Sequence, residues 1–217
     1  MKQTTHIDKH GRKWTVGFGT HAELEALNIE KNFNTALKTL EHIVNEPFGR
    51  AMIKDRTLPK TFKIDNYKAF LDLLNKKKIK YLIVGAFATI KHTRVARFTN
   101  NLDIWIGKDK TNALKCAQAL KTFSNSKIAD TVPFGKKEIF KFKYGGYKIN
   151  IYNTQGKLNF EDAYKRKVRT DFRGVKANFI TLNYLIHLKA YYYKDIDYKD
   201  FLRLKTASLK SKHPLWP

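Results

Sequence analysis

Residues 140–152 read FKFKYGGYKINIY, two runs in which apolar and polar residues take turns on either side of Gly145 and Gly146. A period of two marks strands with one buried face, and paired glycines supply the positive φ angles of a primed two-residue turn. The sequence therefore predicts a β-hairpin, 139–144 against 147–152, which excludes an all-helical fold. Phe140, Phe142 and Tyr144 share a parity and are expected inward, leaving Lys141 and Lys143 outside.

Strand and helix signals surround this hairpin. YLIVGA, 81–86, is an apolar run stopped by glycine and reads as a buried strand, followed by a short helix over 86–91. LDIWI, 102–106, alternates so that Leu102, Ile104 and Ile106 face one way and Asp103 and Trp105 the other. Residues 177–180 form another short strand. Three- and four-residue spacing predicts helices over 22–45 (Leu24, Leu27, Phe33, Ala36, Leu37, Leu40, Ile43, Val44), from a capping Asp65 over Tyr67, Phe70, Leu71, Leu73 and Leu74, and over 109–123 on Leu114, Ala117, Leu120 and Phe123. Further helices are expected at 160–168, 182–193 and 198–204. The fold class is α/β, a mixed twisted sheet with flanking helices. It divides into a basic helical N-terminal extension (1–64), a central domain (65–205) and a basic C-terminal tail (206–217).

Charge narrows the partners. The 217 residues hold 43 Lys and Arg against 19 Asp and Glu, a net +24. Self-repulsion of that size opposes compactness unless a polyanion relieves it, so nucleic acid is the expected partner. The cations cluster: KRKVRTDFRGVK contributes Lys165, Arg166, Lys167, Arg169, Arg173 and Lys176, and the hairpin region Lys136, Lys137, Lys141 and Lys143. These are the expected phosphate contacts. No stretch approaches the roughly 20 apolar residues of a membrane span. The single cysteine, Cys116, leaves no disulfide framework or Cys-rich zinc site, and an intracellular, reducing compartment is expected, cytoplasmic or an organellar matrix.

The order strand, glycine, helix, strand over 80–106 has a chemical meaning. A glycine closing a buried strand lets backbone N–H groups approach phosphate oxygens. Two acids one residue apart on the next strand would aim two carboxylates at Mg²⁺, and a third on a neighbouring strand would complete a two-metal site for nucleotidyl transfer.

VGAFATIKHTRVARFTNNLDIWI, 84–106, resembles the minimal nucleotidyltransferases of the DNA polymerase beta superfamily, toxin-type members included. Those proteins read VGG-x-A, then His, then R-x-T-x-D-x-D. The resemblance continues through FEDAYKRKV, through Leu185, Ile186 and Lys189, and through a closing element on Lys194, Ile196, Asp197, Asp200 and Phe201. It implies that Gly85, Ala86, Arg97, Thr99 and Lys189 hold a nucleoside triphosphate, and that positions 101, 103 and 150 hold metal. Here the pattern breaks. Asn101 and Asn150 stand where aspartates belong, Ala86 replaces the second glycine, and Asp103 alone remains as a metal ligand.

An amide oxygen carries no formal charge, and each carboxylate lost costs on the order of several kcal/mol of cation affinity. Two-metal catalysis is therefore not expected. The expected function is that of a degenerate nucleotidyltransferase, a pseudoenzyme that binds RNA and belongs to a large ribonucleoprotein such as the ribosome. The alternative is a metal-dependent nucleotidyltransferase acting on tRNA, other RNA or protein, a toxin or an inactivated form of one, with NTP and Mg²⁺ as cofactors.

Overall fold

The computed structural model describes residues 2–7, 13–18, 33–46, 63–124, 139–192 and 195–210. Its elements are β1 (Lys2–Ile7), β2 (Lys13–Phe18), α1 (Phe33–Asn45), α2 (Asp65–Lys76), β3 (Leu82–Val84), α3 (Gly85–Thr93), β4 (Asn101–Trp105), α4 (Lys110–Ser124), β5 (Ile139–Tyr144), β6 (Tyr147–Tyr152), α5 (Phe160–Lys165), β7 (Val168–Phe172), β8 (Val175–Phe179), α6 (Leu182–Tyr192) and α7 (Asp195–Lys210). β1 and β2 pair with each other as an antiparallel ribbon, so the extension is not purely helical.

Six strands form one mixed sheet in the order β5-β6-β4-β3-β8-β7. β4 runs parallel to β6 and β3 parallel to β8, while β3 and β4 are antiparallel. The expected hairpin is present, with Tyr144 opposite Tyr147 and φ of +54° and +82° at Gly145 and Gly146. Phe142 is buried and Phe140 half-buried, but Tyr144, near the turn, stays 44% exposed with its ring against Phe123. Lys141 and Lys143 are exposed as expected.

A second hairpin was not anticipated. The helix expected over 160–168 stops at Lys165, and β7 and β8 follow, joined at Arg173 and Gly174 with φ of +52° and +89°. Positive φ at both central residues is again the primed geometry. The arginine-rich composition of this segment masked its β-branched and aromatic alternation.

One face of the sheet, carrying Ile83, Leu102, Ile104, Tyr147, Ile149 and Ile151, is buried and belongs to a single core with α2 and α4. Tyr67 of α2 meets Tyr147 edge-on at 5.6 Å, and Phe70 meets Phe123 of α4 at 5.2 Å. α2 begins without a side-chain cap, and Asp65 sits inside the first turn, where its charge complements the helix dipole. On α4 the buried stripe is Ala113, Cys116, Ala117 and Leu120, and Leu114 stands 45% exposed instead of inward.

α1 lies before the expected boundary at residue 64 yet packs into the same core. Phe33 sits between Phe172 and Phe179, at 5.9 and 5.4 Å, and Ala36, Leu37, Leu40 and Val44 are buried beside it. Asn34 donates to Asp171 at 2.8 Å, and Glu41 pairs with Arg173. Leu24 and Leu27 lie outside the described residues, and Ile43 is exposed. At the other end α7 continues to Lys210, with Ser208 fully buried, so the helix runs through the expected boundary at 205.

Candidate functional site

Strand register brings the predicted residues together. Asp103 lies opposite Asn150 in the parallel pair, Asn150 opposite Lys141 in the antiparallel pair, and Asn101 opposite Lys148. Parity puts all of them on the face turned away from the helices α2 and α4. A cleft of about 500 Å³ opens there. Gly85, Ala86, Arg97, Thr99, Asn101, Asp103, Asn150 and Lys189 all line it, so the predicted nucleotide and metal positions share one cavity. Tyr152, Ile139, Leu188 and Tyr192 add an apolar and aromatic wall.

Within the cleft the polar groups satisfy one another. Asn150 turns its amide nitrogen to Asp103 and donates to Oδ1 at 2.8 Å; the Tyr152 hydroxyl donates to the same oxygen at 3.3 Å. Burial raises the Asp103 carboxyl above its ordinary range, opposed by these two hydrogen bonds and by the charges of Arg97 and Lys189. The Tyr152 phenol is pushed up by burial and by the neighbouring Asp103 charge. The other carboxylate oxygen, Oδ2, lies against Gly85, whose φ of +63° opens α3; a Cβ there would collide with it. Asn101 Oδ1 is buried in the protein with no hydrogen-bond partner.

Arg97 and Lys189 were expected to grip phosphates, but α7 engages both. Arg97 Nε donates to Asp200 Oδ1 at 3.2 Å, and Lys189 contacts Asp200 at 3.0 Å and also Asp197. Asp200 is 1% exposed, so the network is desolvated and its two cations are balanced by two acids. Thr99 holds the turn into β4, its Oγ1 accepting from the Asn101 N–H at 3.2 Å. His92 is not part of the site: its Nε2 lies 2.8 Å from the Ile180 carbonyl, and burial lowers its pKa to about 4, so the ring is neutral and donates that bond.

At the three positions expected to hold metal the cleft offers one carboxylate and two uncharged amides, a weak donor set for a pair of divalent cations. Among the described residues no group of three His, Cys, Asp or Glu is placed to hold one. Turning the Asn150 amide would set its oxygen against that of Asp103, a contact favourable only around a cation that one carboxylate binds weakly. Tyr152 is the site residue that sequence reasoning missed. It lies two positions beyond Asn150, and period-two parity alone would have found it.

The predicted nucleic-acid contacts fall at the two ends of the sheet. Lys141 and Lys143 lie on β5 at one edge; Arg169, Arg173 and Lys176 lie on the β7–β8 hairpin at the other. Lys165, Arg166, Arg169 and Lys176 are exposed. Arg173 is half-buried against Glu41, and Lys167 lies over the Tyr164 ring at 4.1 Å. Lys136, Lys137 and Lys194 lie outside the described residues. Among the described residues no helix is long and apolar enough to cross a membrane.

No protein-family model and no curated protein matches the chain. Solved structures do. The lincosamide antibiotic adenylyltransferase LnuA, lincomycin-bound, is similar at 19% identity and a TM-score of 0.48, over 66% of this chain and 96% of its own. A nucleotidyltransferase-class protein from Thermotoga maritima is similar at 17% identity and 0.44, over 69% and 90%. An antigenic nucleotidyltransferase-like protein from Paracoccidioides brasiliensis is similar at 15% identity and 0.39, over 64% and 75%. At these identities the likeness is one of fold and says nothing of substrate.

Proposed function

We propose that this chain is a nucleotidyltransferase-fold protein with a degenerate metal centre, which works by binding RNA inside a reducing compartment as part of a ribonucleoprotein particle such as the ribosome. The observation that carries the reading is the Asn150–Asp103 hydrogen bond. Where a catalytic site would set a second carboxylate beside Asp103, an amide nitrogen stands here and donates to it. Arg97 and Lys189 add no free charge for a triphosphate, being balanced by Asp197 and Asp200. With chemistry unsupported, the +24 surface becomes the dominant property, and it favours a polyanion.

Two measurements test this. RNA affinity should fall steeply with salt, as counterion release demands. A flat dependence would overturn the binding reading. Nucleotide transfer from any of the four NTPs with Mg²⁺, to RNA or protein acceptors, should stay at background.

One observation favours a second reading, that of an inactivated nucleotidyltransferase of RNA, tRNA included, or of protein. Asn101 and Asn150 are isosteres of aspartate placed on the cleft face beside Asp103. Restoring both carboxylates by Asn101→Asp with Asn150→Asp should then create Mg²⁺-dependent transfer. Continued silence of the double variant, once it is shown to be folded, would remove this second reading.

A further inference from the structure

α7 carries apolar residues on two opposite sides. On one, Asp200, Leu204 and Ser208 recur every fourth residue and are buried. On the other stand Tyr198, Leu202 and Leu209, which are 44%, 47% and 73% exposed. Together with Lys205 they follow a four-three-four spacing along the helix. At about 100° and 1.5 Å per residue, these four positions share an arc of roughly 60° over a length of about 16 Å.

That geometry and the local charge select an occupant. A stripe so narrow, with this spacing, is the seam of a helix that packs against one other helix; a helix lying in a bilayer surface needs a broader apolar arc. The surrounding charge has a single sign. From Phe201 to Lys210 the helix holds Arg203, Lys205 and Lys210 and no acid. Among the described residues neither Arg203 nor Lys205 is in an ion pair, and Lys205 Nζ lies 5.6 Å from the centre of the Phe201 ring. Two copies of this chain meeting here would join two cationic helix halves and two chains of net +24, which repel. RNA would satisfy the cations but leave Leu202 and Leu209 against phosphate and sugar. A helix with apolar residues in its seam and carboxylates beside them satisfies both.

We infer that the outer face of α7 docks an acidic amphipathic helix of a different protein, its apolar seam on Tyr198, Leu202 and Leu209 and a carboxylate on Lys205. This goes beyond the RNA-binding reading. It uses none of the cations assigned to RNA, and the cleft lies against the opposite side of the helix through Asp197 and Asp200.

The test is fluorescence anisotropy of the full chain with three synthetic helical peptides. One has leucines in its seam flanked by glutamates, the second has lysines in place of the glutamates, and the third scrambles the first at equal charge. The glutamate peptide should bind at least about tenfold more tightly than either control. Leu202→Ser with Leu209→Ser should erase the preference over the scramble while keeping RNA affinity, circular dichroism and melting temperature, because both side chains are exposed. Lys205→Glu should shift the preference toward the lysine peptide by about tenfold. Equal binding of glutamate peptide and scramble would reduce the contact to bulk charge and overturn the inference, as would no binding of either; RNA binding would stand in both cases. Sedimentation equilibrium showing a dimer that the double serine variant loses would assign the stripe to a second copy and overturn it. Binding to phosphatidylserine vesicles that the same variant loses would assign it to a membrane and overturn it too.

Discussion

Replacing Asn150 by aspartate would set a second carboxylate within hydrogen-bond distance of Asp103. Like charges so close repel unless a cation lies between them. Asn150→Asp is therefore expected to lower the unfolding midpoint in EDTA by the equivalent of about 2 kcal/mol and to recover with Mg²⁺, while the parent chain shows no Mg²⁺ dependence. Thermal melts with and without the metal check this. Gly85 and Gly145 both have positive φ, yet their surroundings differ. A methyl group at Gly145 meets only Tyr147 at 3.9 Å, whereas at Gly85 it meets the Asp103 carboxylate. Denaturant titration should accordingly show Gly145→Ala costing about 1 kcal/mol and Gly85→Ala more, up to about 3. His92 governs a pH response. Its folded pKa of about 4 lies below the ordinary 6.5, so the unfolded chain takes up the proton first. Stability must fall as pH drops from about 6.5 to about 4 and level off below. His92→Gln should flatten that slope by about 2–3 kcal/mol, read from urea midpoints across the range. At this scale the sequence was most legible where alternation held: Asn101, Asp103 and Asn150 reach one cleft because parity puts them on one face. The pairing of Arg97 and Lys189 with α7 was not legible, because it depends on where a distant helix docks.

α7 is fastened to the cleft by Asp200, whose loss would strand Arg97 and leave the buried Lys189 to Asp197 alone. Breaking one side of a desolvated ion pair costs about 3–5 kcal/mol, against about 0.3–0.5 for an exposed helical pair such as Asp72–Lys76. Asp200→Ala should thus lower the urea midpoint strongly and Asp72→Ala barely. α1 is fastened by Phe33, wedged between Phe172 and Phe179. Phe33→Ala should cost about 3–5 kcal/mol, measured by the same titration. Hairpin β5–β6, β3 and β4 were readable because strong alternation or an apolar run was flanked by glycine. The β7–β8 hairpin was not, because five cations between Arg166 and Lys176 outweigh the alternation of Val168, Thr170 and Phe172. Leu114 misled for the opposite reason: an apolar residue on a helix need not face inward, and Ala113 and Cys116 fill that interface instead.

Across the described residues, the cations of the two edge hairpins, Lys141 and Lys143 on β5 and Arg169, Arg173 and Lys176 on β7–β8, lie at opposite edges of a six-stranded sheet. Each phosphate contact removed from a single-stranded complex should reduce the steepness of log affinity against log salt by about 0.7. Lys141→Ala with Lys143→Ala should reduce it by about 1.4, and the four exposed cations Lys165, Arg166, Arg169 and Lys176 together by about 3 if each touches one phosphate. Titrations at several salt concentrations decide whether one edge or both are used. Six strands at about 4.8 Å put those edges about 24 Å apart, some seven nucleotides at a rise of 3.4 Å. A single RNA strand held at both edges would therefore show, under chemical footprinting, two shielded patches flanking a reactive window of fixed length. The width of the sheet would act as a molecular ruler, set by strand count and independent of the nucleotide sequence.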